Sequence, residues 1–126
     1  ASVLQANELS SCILVNEGNF KFKKVILPYQ VQFSPIYAIE SVDINGDGFA
    51  DLLMGGNLYG VQPEMGRYDA SYGHILVNDG KGQFQDKSKD YGFSVKGQIR
   101  DFVVDNDLVH VFRNNDSVLS FKIVKK

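Results

Sequence analysis

An acidic loop in the first half of the chain carries the side chains with the clearest potential for chemistry. Oxygen-bearing side chains stand at its first, third, fifth and ninth positions, with glycines at the fourth and sixth; the four are Asp43, Asn45, Asp47 and Asp51. Ca²⁺ takes about six to eight oxygen ligands, and alternate residues of a tight loop can direct several side chains to one centre. The pattern therefore predicts a structural calcium site at 43–51, with the Phe49 carbonyl as a further ligand and water completing the shell.

This acidic loop differs in two respects from the calcium loop of an EF-hand. Met54 stands at the twelfth position, where an EF-hand carries a bidentate Glu. The flanking segments 37–39 and 52–54 also have the pattern of strands, so a calcium sensor that opens a pair of helices is not expected. The remaining alternative is a metal-free hairpin turn, although an ordinary hairpin needs fewer Asp, Asn and Gly residues than this loop has.

The elements that must position the loop are short strands. Segments rich in β-branched and aromatic residues, bounded by Gly, Asn or Asp, predict antiparallel hairpins. They are 11–16, 21–26, 37–42, 51–55, 73–78, 98–104, 108–112 and 118–124, with tight turns at 16–18, 78–80 and 114–116. No long window keeps a helical period of apolar residues, so the chain is predicted to be all-β.

An internal repeat organises these strands. The segment 13–22 (ILVNEGNFKF) recurs as 75–84 (ILVNDGKGQF), and weaker similarity continues downstream. We predict a first repeat over about 11–72 and a second over about 73–126, both within one domain spanning 1–126. In the second repeat the segment 103–108 is short and lacks glycines and a final acid. We therefore predict a tight turn without calcium at that position.

Composition and charge narrow the classes of function. The 126 residues are 44% apolar and 22% charged, which is typical of one globular domain. The net charge of −2 argues against a nucleic-acid-binding arm or a polybasic membrane patch, and no apolar run is long enough to span a membrane. Cys12 is the single cysteine, which excludes an internal disulfide and a multi-cysteine zinc site; we predict that it is a buried small hydrophobe.

Three segments resemble a known family. The segment 43–55 (DINGDGFADLLMG) closely resembles the calcium-binding core of FG-GAP/VCBS repeats, the blades of integrin-α-like β-propellers. The segment 77–88 resembles the linking segment of ASPIC/UnbV-type members. The segment 113–122 resembles the C-terminal end of large secreted bacterial proteins of this kind.

The resemblance implies antiparallel four-stranded blades of β-propeller type, about two repeats and hence an incomplete propeller. It also implies one calcium ion held by Asp43, Asn45, Asp47, Phe49 and Asp51. Two blades leave open sheet edges, so the expected partners are the remaining blades of a larger chain, of which this would be a C-terminal fragment, or a second subunit. The expected location is secreted, extracellular or on a bacterial cell surface, with no nucleic acid and no membrane insertion.

A long loop at 57–72 interrupts the regular spacing of the strands. Loops of this length in compact domains are usually functional or have a specific packing role. Its candidate ligand-binding residues are Glu64, Arg67, Tyr68, Asp69 and Tyr72, because Arg and aromatic residues are frequent in binding sites. The alternative is structural: Arg67 would pair with Asp69 or Glu64, and Tyr68 would pack between blades.

These features predict a calcium-stabilised, non-enzymatic module for extracellular binding, adhesion or scaffolding, with a protein or glycan ligand. No catalytic residues are predicted, because His74 and His110 lie on strands without an accompanying nucleophile motif. The alternative function is part of a calcium-dependent polysaccharide-degrading enzyme, a lyase or hydrolase.

Overall fold

The computed structural model describes residues 3–62, 64 and 66–125, and Pro63 and Met65 of the long loop lie outside the described residues. The described part contains nine strands and one short 3₁₀-helix, Tyr29–Gln32. The strands are β1 Cys12–Gly18, β2 Lys21–Ile26, β3 Ile36–Val42, β4 Asp51–Gly56, β5 His74–Asn78, β6 Phe84–Asp86, β7 Ile99–Asp105, β8 Leu108–Arg113 and β9 Leu119–Lys122. The predicted all-β class is confirmed.

The strands form three antiparallel sheets, which follow one another along the chain. The first sheet has two strands, β1-β2, the middle sheet four, β3-β4-β5-β6, and the third sheet three, β7-β8-β9. Neighbours in each sheet are also neighbours in sequence, so every connection is a hairpin or a simple return loop. The middle sheet is an antiparallel four-stranded blade of the predicted type, and no sheet of the described residues closes into a barrel.

The middle sheet is apolar on both faces because a further layer covers each of them. Leu53 and Ile75, which pair across β4 and β5, belong to a core with residues of the third sheet such as Phe102. On the opposite face Met54 and Leu76 pack with Ile13 of β1, Leu27 after β2 and Val31 of the 3₁₀-helix. The three sheets are thus stacked face to face, as successive blades of a propeller are.

The end of strand β4 is where backbone and neighbouring layers come closest. A side chain at Gly56 would lie 1.7 Å from the Pro35 carbonyl oxygen, and one at Gly55 would lie 2.6 Å from Ile99 of the third sheet. These two positions therefore need glycine for close approach, not for an unusual backbone angle.

The sheets and the predicted sequence repeats have different boundaries. The middle sheet combines β3 and β4 of the first repeat with β5 and β6 of the second. The boundary proposed at 72/73 thus falls between two paired strands, and the repeat limits remain a prediction about sequence units.

Local differences from the sequence-based prediction are confined to short elements. The first hairpin turn lies at Asn19 and Phe20, both at positive φ, and not at 16–18, because Gly18 is part of β1 beside a register shift. Strand β6 and the 3₁₀-helix were not predicted as elements. Cys12 is half-buried, so its prediction as a buried small hydrophobe is wrong.

Candidate functional site

The acidic loop connects β3 to β4 and is closed by hydrogen bonds from its own backbone. The Asp43 carboxylate accepts hydrogen bonds from the Gly46 N–H at 2.7 Å and the Gly48 N–H at 3.1 Å. Asn45 Oδ1 accepts from the Asp47 N–H at 2.9 Å, and Asp47 Oδ1 accepts from the N–H of Phe49 at 2.8 Å. Gly46 and Gly48 have φ of +83° and +88°, so glycine is needed at both positions.

Asp51, the last donor of the predicted calcium set, is fully buried at the start of β4. Its two carboxylate oxygens accept hydrogen bonds from the Ile44 N–H at 3.0 Å and from the Asn78 N–H at 2.8 Å. Ile44 lies inside the loop, and Asn78 ends β5. Asp51 therefore joins the acidic loop to two strands of the blade.

The same end of the blade holds the turn between β5 and β6. Asn78 Nδ2 donates to the Ala50 carbonyl at 3.2 Å. The Phe49 ring packs against Gly80, where a Cβ atom would lie only 2.6 Å from the ring. Phe49 is nevertheless half-exposed, because the ring covers the turn from outside. The acidic loop and this turn form one polar edge of the middle sheet.

A lysine near the end of the described chain lies over the acidic loop. The Lys125 side chain passes Gly46, with its Cδ 3.3 Å from where a side chain at that glycine would begin. Partial desolvation raises the pKa of Asp43, but hydrogen bonds from Gly46 and Gly48 and the charge of Lys125 outweigh it, so the pKa is held below its usual value. Asp43 is thus favoured in its ionised form, which is the form that binds a cation.

The donor set of the acidic loop fits a hard cation in its chemistry. Asp43, Asn45, Asp47 and Asp51 offer carboxylate and amide oxygens, which Ca²⁺ prefers. Each oxygen that accepts one backbone N–H keeps a further lone pair. In this structure the side chains turn to backbone N–H groups, and within the described residues no three His, Cys, Asp or Glu side chains converge as metal ligands.

The corresponding connection in the third sheet is a two-residue turn. Asp105 of β7 pairs directly with Leu108 of β8, and Asn106 between them adopts a φ of +53°. Asn106 Nδ2 donates to the Asp105 carboxylate at 2.9 Å, and this contact stays on the exposed surface. The predicted tight turn is present at this position.

The candidate ligand-binding residues of the long loop go to different places. Arg67 stacks over the Tyr59 ring at 5.1 Å, and in the described chain it has no ion pair with Glu64 or Asp69, which are exposed. Tyr68 exchanges backbone hydrogen bonds with Leu58, at 2.8 and 3.0 Å. Tyr72 lies apart from these residues and lines a cavity beside strand β5. The structure does not bring the five residues together.

The base of the long loop is held by Asn57, a buried residue at a φ of +81°. Its side chain donates to the carbonyls of Ser71 at 2.6 Å and Gly97 at 2.9 Å, and accepts from the Ser71 N–H at 3.0 Å. These contacts join the two ends of the loop to each other and to the segment that leads into β7.

A Ser–His–Asp relay at the end of the loop was missed by the sequence analysis. His74 Nδ1 lies 2.9 Å from Asp86 Oδ2, and its Nε2 lies 3.1 Å from Ser71 Oγ. Burial opposes ionisation of Asp86, but hydrogen bonds from His74 and Ser88 hold the pKa of its carboxyl below the usual value. In the tautomer in which His74 Nδ1–H donates to Asp86, Nε2 accepts a hydrogen bond from the Ser71 hydroxyl group.

The contact between His74 and Asp86 could have been predicted from the register of the hairpin formed by β5 and β6. Asn78 pairs with Phe84 and Leu76 with Asp86, which places the side chains of Asp86 and His74 on one face of the sheet. Ser71 could not be placed in the same way, because its position depends on the course of the long loop. His110, on β8, contacts Ser120 at 2.8 Å and belongs to no such group.

The fold and the acidic loop together define a β-blade protein of the repeat type, with an Asp- and Asn-rich connection between the first two strands of a four-stranded sheet. Residues 36–76 match the family model of the FG-GAP repeat, so this segment of the chain is similar to an FG-GAP repeat. The match extends from β3 through the acidic loop and the long loop into β5. Neither curated proteins nor solved structures gave a match.

FG-GAP repeats as a group have two properties that are relevant to function. FG-GAP repeats are typically non-catalytic and occur in extracellular or surface proteins. Among the described residues, no helix has the length and apolar character needed to cross a membrane. The likeness to ASPIC/UnbV-type proteins remains a prediction from the sequence.

Proposed function

We propose that this chain is a calcium-stabilised, non-enzymatic β-propeller-type module for binding, adhesion or scaffolding outside the cell. The observation that carries the proposal is the buried Asp51 carboxylate, which joins the acidic loop to β4 and β5 within the matched FG-GAP segment. A cation held by Asp43, Asn45, Asp47, Asp51 and the Phe49 carbonyl would cross-link the loop to the blade. Its contribution would be structural.

The experiment for this proposal is thermal unfolding with and without calcium. Extracellular calcium modules bind at about 10⁻⁴ to 10⁻³ M, so the stabilisation at a few times Kd is about 1 kcal/mol, which raises Tm by several degrees in a domain of this size. We expect calcium to raise the Tm of the wild type and to leave that of Asp47→Ala unchanged. Asp107→Ala, in the two-residue turn, is the matched control and should keep the response. An unchanged response in Asp47→Ala would remove the site assignment.

A non-enzymatic role is supported by the state of the Ser–His–Asp relay. Ser71 Oγ makes two hydrogen bonds, one to His74 Nε2 and one that it accepts from the Gly73 N–H at 3.2 Å. The residue is 3% exposed. The hydroxyl is therefore placed to connect the long loop to β5, not to attack a substrate. Calcium-dependent cleavage of a uronate polymer by the purified chain would contradict this part of the proposal and favour the enzymatic alternative.

The proposed partner is a further blade, either another part of a larger chain or a second subunit. The register of β1 and β2 places the side chains of Leu14, Phe22 and Ile26 on one face of the first hairpin. They are 61%, 58% and 49% exposed there. Exposed apolar residues gathered on one sheet face indicate an interaction surface. The opposite face of the same hairpin carries Val25, which is buried.

The partner proposal predicts self-association when no other blade is supplied. The chain has a mass of 14.0 kDa, and light scattering after size-exclusion chromatography should give a larger mass. We expect the Leu14→Asp/Phe22→Asp variant to be monomeric with an unchanged circular dichroism spectrum. A wild-type monomer at high concentration, with calcium or with EDTA, would contradict association of this chain through its first hairpin.

A further inference from the structure

A cavity of about 580 Å³ opens beside strand β5, away from the acidic loop. Its walls come from the 3₁₀-helix and the residues after it, the end of the long loop, and the segment that follows β6. Pockets for small ligands commonly have volumes of about 300–1,000 Å³. The cavity is therefore large enough for a ligand of one or two rings.

Three aromatic rings line this cavity without being buried in the core. Tyr29, Phe33 and Tyr72 are 68%, 58% and 51% exposed. Tyr29 and Phe33 contact each other edge to face, with ring centres 5.8 Å apart, which holds both rings in place. Open aromatic faces at the wall of a concave site offer flat apolar surfaces to a ligand.

The polar part of the wall is rigid. His74 and Asp86 line the cavity, and both are fixed by the relay to Ser71 and by the hydrogen bonds of Ser88 to Asp86 at 2.6 and 2.9 Å. Polar groups that are already held in one arrangement do not lose conformational freedom when a ligand binds.

Gln30 supplies unused hydrogen-bonding capacity in the same wall. Its Oε1 is buried and has no hydrogen-bond partner among the described residues. A buried acceptor without a donor is unfavourable, so the Gln30 side chain would gain a hydrogen bond by turning toward a hydroxyl donor in the cavity. This atom favours a ligand that carries hydroxyl groups.

The charges around the cavity are balanced. Lys87 and Asp90 form an ion pair at 3.4 Å, and the other two charged residues of the lining, Lys89 and Asp86, have opposite signs. A polyanionic ligand would find no excess of positive charge here. The lining thus combines apolar faces, a hydroxyl acceptor and no net charge.

We propose that this cavity binds a neutral saccharide, an inference that rests on the proposed binding function and names its ligand class and its site. The C–H faces of a pyranose ring are apolar and pack on aromatic rings, whereas its hydroxyl groups donate to acceptors such as Gln30 Oε1. Phe33 and Tyr72 are assigned as the stacking residues. Arg67, Asp69 and Glu64 of the long loop do not line this cavity.

The test uses the purified chain on an array of neutral and acidic glycans, followed by NMR titration with the strongest neutral glycan. We expect neutral glycans to bind, and amide signals of 29–33, 70–74 and 86–94 to shift with saturation. Phe33→Ala and Tyr72→Ala should each weaken binding about tenfold, as expected for loss of one ring contact. Phe20→Ala is the matched control, because Phe20 is fully exposed on the first hairpin turn, and should bind as the wild type does.

Several results would overturn the saccharide site. These are the absence of any neutral-glycan binding, binding of acidic glycans alone, equal binding by Phe33→Ala and Tyr72→Ala when both keep the wild-type NMR dispersion, or shifts confined to other residues. Retention of a protein partner instead of a glycan would also overturn it. Calcium melting curves on the same samples separate the two proposals. Neutral-glycan binding without a calcium response supports the cavity and removes calcium stabilisation, and the reverse overturns the cavity alone.

Discussion

Two connections in the molecule join equivalent pairs of antiparallel strands in different ways. Between β3 and β4 the chain makes the acidic loop, which has an internal network and a buried end at Asp51. Between β7 and β8 it makes a two-residue turn at 106–107 whose polar contacts are exposed. Since the short turn is enough to pair β7 with β8, the acidic loop is not needed for strand pairing as such.

The difference is clearest at the first residue of the second strand in each pair. Asp51, which opens β4, is fully buried and accepts two backbone hydrogen bonds, whereas Leu108, which opens β8, is 41% exposed. A buried carboxylate is expensive unless its oxygens are satisfied. The acidic loop therefore depends on Asp51, while the short turn has no corresponding dependence.

The largest effect is expected for Asp51→Ala. The substitution leaves the N–H groups of Ile44 and Asn78 without their acceptor, which should lower the free energy of unfolding by about 2–5 kcal/mol. Asp107→Ala in the short turn should change it by less than about 0.5 kcal/mol, as surface substitutions usually do. Urea unfolding at neutral pH measures both. Equal effects of the two substitutions would contradict the contrast between the connections.

A smaller effect on the free energy of unfolding is expected when acid protonates Asp43. Its pKa is lower in the folded chain than in the unfolded chain, so its contribution to stability is complete above the usual aspartate pKa of about 4 and disappears as the pH falls through the folded value. Unfolding curves between pH 7 and pH 3 should therefore show a difference between wild type and Asp43→Asn that shrinks toward pH 3. Asp107→Asn serves as the control in the short turn.

One result would contradict the stabilisation of the acidic loop by ionised Asp43. A difference between wild type and Asp43→Asn that stays constant from pH 7 to pH 3 would mean that ionisation of Asp43 does not stabilise the loop. The substitution would then act through hydrogen bonding alone.

The strands could be predicted because their pattern is local. β3, β4, β7 and β8 alternate or concentrate apolar residues between strong turn signals, and their observed limits lie within two residues of the predicted ones. The first hairpin turn was misplaced because the segments 16–18 and 18–20 both contain the Asn and Gly residues that suit a turn, and the observed turn lies at Asn19 and Phe20. The choice between them is made by the pairing of β1 with β2, which a local pattern does not contain.

The contacts that could not be predicted are those made across long stretches of chain. The spacing of the residues from Asp43 to Asp51 was enough to propose them as calcium ligands, which stays a prediction, but the hydrogen bond from Asn78 to Asp51 joins residues of different hairpins. The saccharide cavity depends in the same way on the 3₁₀-helix, the end of the long loop and the segment after β6 meeting at one place. No periodicity in the sequence records that meeting.

The most direct test of calcium stabilisation is a calcium titration of ¹⁵N-labelled protein followed by NMR. The Gly46, Gly48 and Phe49 amides all hydrogen-bond to carboxylates that would become ligands, so their signals should move with saturation. The signals of Asn106 and Asp107 should stay in place, and Asp47→Ala should abolish the shifts in the acidic loop. Calcium shifts absent from 43–51, or equal in the two connections, would contradict the account.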